Sequence, residues 1–184
     1  MRVTIEYPAW VAQKIDWERR YSSPEERMRL AIDLARENVV HKTGGPFGAA
    51  VFERQTGRLI SVGVNLVVSL KNALLHAEIV ALMMAHQRLR SFTLSADPQV
   101  QYELVTSCEP CALCLGAIFA SKVRRVLCGA SRDDAMQIGF DEGPVFPESY
   151  EYLEARGIEF VRHLCRAEAK AILDLYAQHG GIIY

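Results

Sequence analysis

The chain lacks a long hydrophobic run and an excess of charge of either sign. No apolar stretch reaches the roughly 18 to 20 residues that a membrane-spanning helix needs, and charges interrupt the N-terminus, so that no signal-peptide core is found there. The 21 Lys and Arg residues nearly balance the 22 Asp and Glu residues, which leaves no bulk attraction to phosphate backbones or anionic lipid. We therefore expect a cytoplasmic protein without a membrane partner, and nucleic acid is a disfavoured partner.

Cysteine is also scarce, and its odd count argues against a disulfide framework. The five cysteines are Cys108, Cys111, Cys114, Cys128 and Cys165. In the cytoplasm their thiols stay reduced and available to bind metal. Cys108 follows the apolar run 102–106 and is expected at the end of a strand, whereas Cys128 and Cys165 are interpreted as small core residues.

The length and composition predict that residues 1–184 form a single domain. Half of the 184 residues are hydrophobic, which is enough for one sizeable core. Residues 1–23 contain four aromatic residues without clear periodicity, and we expect an arm that packs onto the domain or onto a partner subunit. Residues 180–184 form a C-terminal tail with apolar and aromatic character.

The order of predicted elements indicates an α/β fold. A helix begins after Ser23, with Pro24 at its first position, and residues 47–52 and 59–65 form a β-hairpin around a Gln-Thr-Gly turn. Three further strands, at 103–107, 124–128 and 158–162, alternate with helices that begin near residues 76, 111, 148 and 167. The pattern predicts a three-layer α/β/α sandwich with a mixed five-stranded sheet.

Two short motifs carry the chemistry. His76-Ala77-Glu78 is followed about thirty residues later by Pro110-Cys111-Ala112-Leu113-Cys114. His76, Cys111 and Cys114 supply three zinc ligands, and Glu78 is a carboxylate that need not be a ligand. A structural zinc has four protein ligands, whereas a catalytic zinc keeps one position for water and needs a nearby base. The spacing matches the signature of the zinc-dependent nucleobase and nucleoside deaminases.

Two less specific interpretations use the same cysteines. A Cys-x-x-Cys pair alone is often a disulfide or a redox pair, but that interpretation leaves His76 and Glu78 unexplained. Alternatively, Cys108 could join His76, Cys111 and Cys114 in a closed structural zinc site. This closed site also leaves Glu78 without a role, and a catalytic site is therefore favoured.

From Met28 to its C-terminus the chain resembles the cytidine deaminase-like superfamily. Within that superfamily it is similar to the bacterial guanine deaminases, and the motifs that carry the likeness are Gly44-Gly45-Pro46-Phe47-Gly48-Ala49, Asn65, His76-Ala77-Glu78, residues 106–111 and Gly139-Phe140-Asp141-Glu142. The resemblance implies a zinc-dependent aminohydrolase that converts guanine to xanthine and ammonia. It also implies a homodimer whose tail closes over the pocket and is often exchanged between subunits.

The resemblance assigns roles to individual residues. His76, Cys111 and Cys114 would bind one Zn²⁺ per subunit, and Glu78 and Glu142 would be catalytic, as proton shuttle and as acid toward the departing amine. The residues implied in substrate binding are Asn65, Phe47, Ala77 and Tyr184. Two features depart from the pattern: Glu142 stands where these relatives commonly have a second aspartate, and the N-terminal arm is longer.

Other substrates remain open on the sequence alone. Transfer-RNA adenosine deaminases share the zinc residues, but they carry a Lys-Thr-Gly-Ala-like segment where this chain has the acidic Asp133-Asp134 and Asp141-Glu142. An aminotriazine, cytosine or a pterin is another possible substrate, because a few pocket contacts decide among such heterocycles. Outside the enzymes, the alternative is a binding module with a structural zinc.

Overall fold

The structure is a computed structural model that describes residues 4–184. Over this range the chain forms eight helices and five strands. In chain order they are α1 (Ala9–Lys14), α2 (Pro24–Val40), β1 (Gly48–Glu53), β2 (Leu59–Val64), α3 (Val67–Leu70), α4 (Ala77–Leu89), β3 (Tyr102–Cys108), α5 (Ala112–Ser121), β4 (Arg125–Ala130), α6 (Arg132–Gln137), α7 (Pro147–Glu154), β5 (Glu159–Val161) and α8 (Arg166–Gln178). Within this part of the chain, no helix is both long and apolar enough to cross a membrane.

The five strands form one mixed sheet in the order β2-β1-β3-β4-β5. β1 pairs antiparallel with β2 and with β3, whereas β3, β4 and β5 run parallel. The parallel strands are joined through helices, as crossover connections require. The predicted mixed five-stranded sheet is confirmed.

Helices cover both faces of this sheet. Alternate strand residues point to opposite faces: Ala50 and Val105 belong to a hydrophobic cluster with α1, α2 and α8. Their neighbours Val51 and Leu104 belong to a second cluster with α4, α5 and α7. The three-layer α/β/α architecture is therefore also confirmed.

The start of α2 follows the local signals in the sequence. The Ser23 hydroxyl accepts a hydrogen bond from the Glu26 amide at 3.2 Å, and the Glu26 carboxylate accepts one from the Ser23 amide at 3.3 Å. Pro24 occupies the first helical position, where its missing N–H has no cost. This reciprocal capping box satisfies two donors that the helix leaves unpaired.

Residues 4–23 of the N-terminal arm pack onto the domain and are partly helical, because α1 lies within them. Trp10 and Tyr21 are buried in the first hydrophobic cluster. The Tyr7 hydroxyl donates to the Val62 carbonyl at 2.9 Å, and the Arg88 guanidinium lies 4.8 Å from the Trp17 ring centroid. The expected packed arm is thus observed, whereas its helix was not predicted from its irregular spacing.

Candidate active site

The candidate site lies at one edge of the sheet, where β1 begins and β2 and β3 end. Gly48 pairs with Val64, and Ala49 pairs with Thr106. Phe47 and Asn65, which flank these strand ends, therefore lie beside the loop that follows β3. Both α4 and α5 begin at this edge, so the expected placement of the motifs at helix starts is observed, with His76 and Cys111 as the N-cap residues.

His76, Cys111 and Cys114 form a cluster with the geometry of a zinc site. Their ligand atoms lie within 4.8 Å of one another. The Cys111 and Cys114 sulfurs are 3.5 and 3.7 Å from His76 Nδ1. A tetrahedral zinc with ordinary Zn–S and Zn–N bonds separates such atoms by about 3.6 Å. The three residues therefore fit zinc, with Nδ1 as the imidazole ligand.

The two thiols are strongly coupled. A hydrogen bond from Cys114 lowers the pKa of Cys111 to about 4, while the same contact raises the pKa of Cys114. The two thiols therefore lose their first proton at a lower pH than a free cysteine does, and they lose the second proton at a higher pH. Thiolates at a helix N-terminus are favoured by the unpaired amides, and a bound metal would displace the remaining proton.

Cys108 does not belong to this cluster. It ends β3, as expected, and its buried sulfur donates to the Ser131 carbonyl at 3.5 Å. Among residues 4–184, the metal-ligand cluster contains only one histidine and two cysteines. The closed four-ligand site is thus not formed, and one coordination position remains for water or substrate.

Glu78 lies in the first turn of α4 and is only 6% exposed. Its side chain lines the same cavity as His76 and Cys111. Burial raises the pKa of this carboxyl, and the nearby Cys111 thiolate raises it further. A carboxyl group in this environment is suited to accept a proton and to return it.

Glu142 reaches the cavity on the loop that follows α6. Its carbonyl oxygen accepts a hydrogen bond from the Ala112 amide at 3.0 Å, and its side chain lines the cavity. Burial raises the pKa of Glu142 to about 8, with further contributions from Cys111 and Glu78. A divalent cation beside it would favour the carboxylate instead.

Asn65 presents a free donor to the cavity. The carboxamide is 1% exposed, and its Oδ1 accepts a hydrogen bond from the Val67 amide at 3.2 Å. Among the described residues its Nδ2 makes no hydrogen bond of ordinary geometry, and the group that it does reach is the Tyr184 hydroxyl of the tail, whose pKa it lowers as a donor. A buried unpaired donor is costly, so this amide is suited to a ligand with an acceptor atom.

The remaining predicted contacts divide into two groups. Phe47 is half-buried, lines the cavity and packs edge-on against Phe140, with ring centroids 4.9 Å apart. Ala77 is fully buried in the second hydrophobic cluster, and its side chain is not among those that line the cavity. Any contact between Ala77 and substrate would therefore involve its main chain.

The last residue of the C-terminal tail, Tyr184, lines this cavity. The Tyr184 ring packs edge-on against Phe140 at 5.2 Å, and the Ile182 carbonyl accepts a hydrogen bond from the Tyr176 hydroxyl at 2.8 Å. Burial raises the pKa of Tyr184. The space left is about 30 Å³, far below the roughly 300 Å³ of a small ligand pocket, so a purine enters only if the tail moves.

Sequence reasoning missed Phe140 as a site residue, and the structure separates the two acidic pairs. Phe140 contacts Phe47 and Tyr184 and thereby links the acidic loop to the tail. Asp134 does not face the cavity: it caps α6 and pairs with Arg166 at 2.8 Å. Only Asp141 and Glu142 of the two acidic pairs line the cavity.

A three-ligand metal cluster with two buried cysteines and a half-buried histidine, beside a carboxyl group on this α/β/α sheet, defines a zinc-dependent deaminase. The family model described as the cytidine and deoxycytidylate deaminase zinc-binding region matches residues 21–130. The chain belongs to this family, and its metal cofactor is zinc.

Curated relatives include enzymes with two different substrates. The guanine deaminase of Bacillus subtilis (strain 168) is 36% identical over 136 residues, which are 74% of this chain and 83% of the relative. A tRNA-specific adenosine deaminase of Buchnera aphidicola subsp. Schizaphis graminum is 30% identical over 129 residues, which are 70% of this chain and 78% of the relative.

Solved structures match nearly the whole chain. The guanine deaminase from Nitrosomonas europaea is 43% identical, with a TM-score of 0.91 over 96% of this chain and 97% of that one. A variant protein in complex with 8-azaguanine is also 43% identical, with a TM-score of 0.92 over 97% of both chains. These structures extend the likeness beyond the zinc region.

Proposed function

We propose that this protein catalyses the hydrolytic deamination of guanine to xanthine and ammonia. The observation that carries the proposal is the enclosed cavity in which the zinc ligands, Glu78, Glu142 and the unpaired Asn65 amide converge. Likeness to a guanine deaminase over nearly the whole chain supports the same substrate. The reaction adds one water to the ring carbon that bears the amino group and releases one ammonia.

His76, Cys111 and Cys114 would hold the zinc ion. Zinc held there would supply a Lewis acid able to lower the pKa of water from 15.7 to about 7. Glu78 takes the proton of the attacking water and delivers it to the ring nitrogen beside the amino-bearing carbon. This transfer prevents negative charge from accumulating on the ring as the oxygen adds.

Glu142 completes the proton balance. Loss of ammonia requires a second proton on the amine, because an amide anion is a very poor leaving group. The Glu142 side chain lines the cavity and is buried, so a proton that it carries is protected from bulk water. We assign it the role of acid toward the departing amine: it takes the proton that the added hydroxyl group loses as the carbonyl forms and passes this proton to the amine, so that the carboxylate is restored.

Asn65, Phe47 and Tyr184 orient the base. The Nδ2 of Asn65 donates to an acceptor on the purine edge, while Phe47 contacts the ring face, a kind of contact worth about 0.5 to 1.5 kcal/mol. Tyr184 closes the cavity once the substrate has entered. Exclusion of water strengthens each polar contact in the closed site.

The enclosed cavity favours a free base over a polymer. A transfer-RNA substrate needs an open path for the backbone on both sides of the flipped base, and the tail covers the cavity. The chain is also nearly neutral, with a net charge of −1, so it offers little attraction to a polyanion. Another amino-heterocycle of similar size remains the alternative that a direct assay must exclude.

We further propose that residues 1–184 act as a single deaminase domain, as a cytoplasmic homodimer. The five cysteines of the chain are free, which suits a reducing compartment. In this structure the tail lies over the cavity of its own subunit. The same tail in a dimer would cover either its own pocket or that of the partner subunit.

A substrate panel tests the proposal. Zinc-loaded protein is assayed for ammonia release from guanine, adenine, cytosine, an aminotriazine and a pterin, and for inosine formation in a transfer-RNA anticodon stem-loop. We expect guanine to give the highest kcat/KM by at least about tenfold, the scale of a few pocket contacts. Inosine formation without guanine turnover would show that the substrate assignment is wrong.

A further inference from the structure

Asn38 connects three segments that meet behind the candidate site. It lies in α2 and is fully buried. Its Nδ2 donates to the Gly45 carbonyl at 2.8 Å and to the Asn65 carbonyl at 2.9 Å. Its Oδ1 accepts a hydrogen bond from the Thr43 hydroxyl at 2.7 Å. One carboxamide thus ties the end of α2, the glycine turn and the residue that follows β2.

The N-terminal arm continues this network. Trp10 donates through its indole nitrogen to the Thr43 hydroxyl at 3.1 Å. Its ring is stacked on His41, with centroids 5.7 Å apart and an interplanar angle of 9°. Because the Thr43 hydroxyl accepts from Trp10, its own proton is directed at Asn38. The arm therefore orients the Thr43 hydroxyl, and this hydroxyl in turn orients the Asn38 side chain.

The glycine turn shows how tightly these segments meet. A side chain at Gly44 would overlap the main-chain oxygen of Asn65, and one at Gly45 would overlap the Tyr184 hydroxyl. The two glycines allow the turn to lie against both the Asn65 main chain and the tail. Any shift of the turn therefore moves the two groups that face the substrate cavity.

We propose that Asn38, supported by Thr43 and Trp10, is a positioning residue that sets the orientation of Asn65 toward the purine. The inference rests on the proposed function and adds a residue to it. Asn38 itself does not line the cavity. It acts by holding the Asn65 carbonyl, which leaves the Asn65 side chain directed at the substrate.

Only a carboxamide satisfies this position. Two carbonyl oxygens and one hydroxyl proton surround Asn38, so the position needs two donors and one acceptor. Asn38→Asp keeps the shape but replaces the donors with an oxygen that faces two carbonyl oxygens. This change should break the hydrogen bond to the Asn65 carbonyl, while the volume of the side chain at position 38 stays almost unchanged.

The test measures guanine turnover, zinc content and thermal unfolding for Asn38→Asp and for the milder Thr43→Val. We expect both to retain zinc and to lower kcat/KM, by about a hundredfold for Asn38→Asp, the scale of a roughly 1 Å misplacement. Thr43→Val, which keeps its shape, should lower it by about tenfold. If Asn38→Asp fails to fold, the kcat/KM of Thr43→Val alone tests the inference.

Tyr7→Phe is the matched control. It removes a hydrogen bond between the arm and β2 without touching the Asn38 network. We expect its unfolding temperature to fall about as much as that of Thr43→Val, while its kcat/KM stays within twofold of wild type. If Tyr7→Phe and Thr43→Val lose activity equally, Asn38 and Thr43 are merely structural.

A double-mutant cycle with Asn65→Ala separates positioning from stability. If Asn38 acts through Asn65, Asn38→Asp should cost little further activity once Asn65 is alanine, because effects on one unit do not add. Independent losses that multiply would overturn the inference. Wild-type protein without guanine turnover would instead remove the proposed function, so the two failures are distinguishable.

Discussion

The Ala112 amide donates to the Glu142 carbonyl at 3.0 Å, and this bond joins the acidic loop to the helix that carries a zinc ligand. Ala112 is the first residue of α5, where amides have no partner within the helix. The Glu142 carbonyl satisfies one of these amides. Its side chain is thereby held beside the cavity that Glu78 also lines.

Replacement of Glu142 tests its role as the second acid. Glu142→Gln keeps the main-chain bond to Ala112 and the side-chain shape but cannot donate a carboxyl proton. We expect zinc to be retained and kcat for guanine to fall by at least about a hundredfold, the lower range for a general acid. Glu148→Gln, at an exposed position, is the control, and equal activity of both variants would remove Glu142 from the mechanism.

Deletion of residues 181–184 tests the tail. We expect the truncated protein to retain zinc and to lose at least about tenfold in kcat/KM, because the closed site no longer excludes water. Tyr184→Phe keeps the ring that packs on Phe140 and should lie between wild type and the deletion. Unchanged kinetics in the truncated protein would show that the tail is not a lid.

Asp134 and Arg166 provide a pH-dependent contribution to stability. Hydrogen bonds from Arg166 hold the pKa of the Asp134 carboxyl well below its usual range. A depressed folded-state pKa stabilises the protein above the unfolded value of about 3.9, and this contribution is lost as the pH falls further. Asp134→Asn should therefore lower the free energy of unfolding at pH 7 by about 1 to 2 kcal/mol, since Arg166 is half-exposed.

Unfolding by urea at several pH values measures this effect. The difference between wild type and Asp134→Asn should be constant from pH 7 to about pH 5 and should shrink below about pH 4. If the difference in the free energy of unfolding between the two proteins is the same at pH 3 as at pH 7, the charge of the Asp134 carboxylate does not contribute to stability.

Glu103, in β3, forms ion pairs with two arginines. It is fully buried, pairs with Arg27 and accepts a hydrogen bond from Arg125 Nε at 2.7 Å. Glu103→Gln leaves these guanidinium groups without a counter-charge and should destabilise the protein by about 3 to 5 kcal/mol. Glu168→Gln, in the exposed pair with Arg29, should cost less than about 1 kcal/mol. Similar losses in both variants would contradict the difference in burial.

Local signals predicted most of the fold. The capping box at Ser23 and the hairpin turn near Gly57 placed α2, β1 and β2 to within about one residue. The helices α1, α3 and α6 were not predicted. All three are short, with six residues in α1, four in α3 and six in α6, which is too few for a periodic pattern.

The site was predictable where ligands are close in sequence. His76 with Glu78, and Cys111 with Cys114, lie within one helical turn of each other, so their spacing alone indicated a metal site. The roles of Asn38 and Phe140 depend on contacts with residues distant in the chain. Asn38, for example, binds the carbonyl of Asn65, which is 27 residues further along the chain. No local pattern marks such residues.

The central claim is that Glu78 acts as a proton shuttle beside a zinc ion with three protein ligands. The most direct measurement is guanine turnover by zinc-loaded Glu78→Gln, with zinc content determined on the same sample. We predict one zinc per subunit and a loss in kcat of roughly 10² to 10⁴-fold or more. Full zinc occupancy with kcat near the wild-type value would contradict the account.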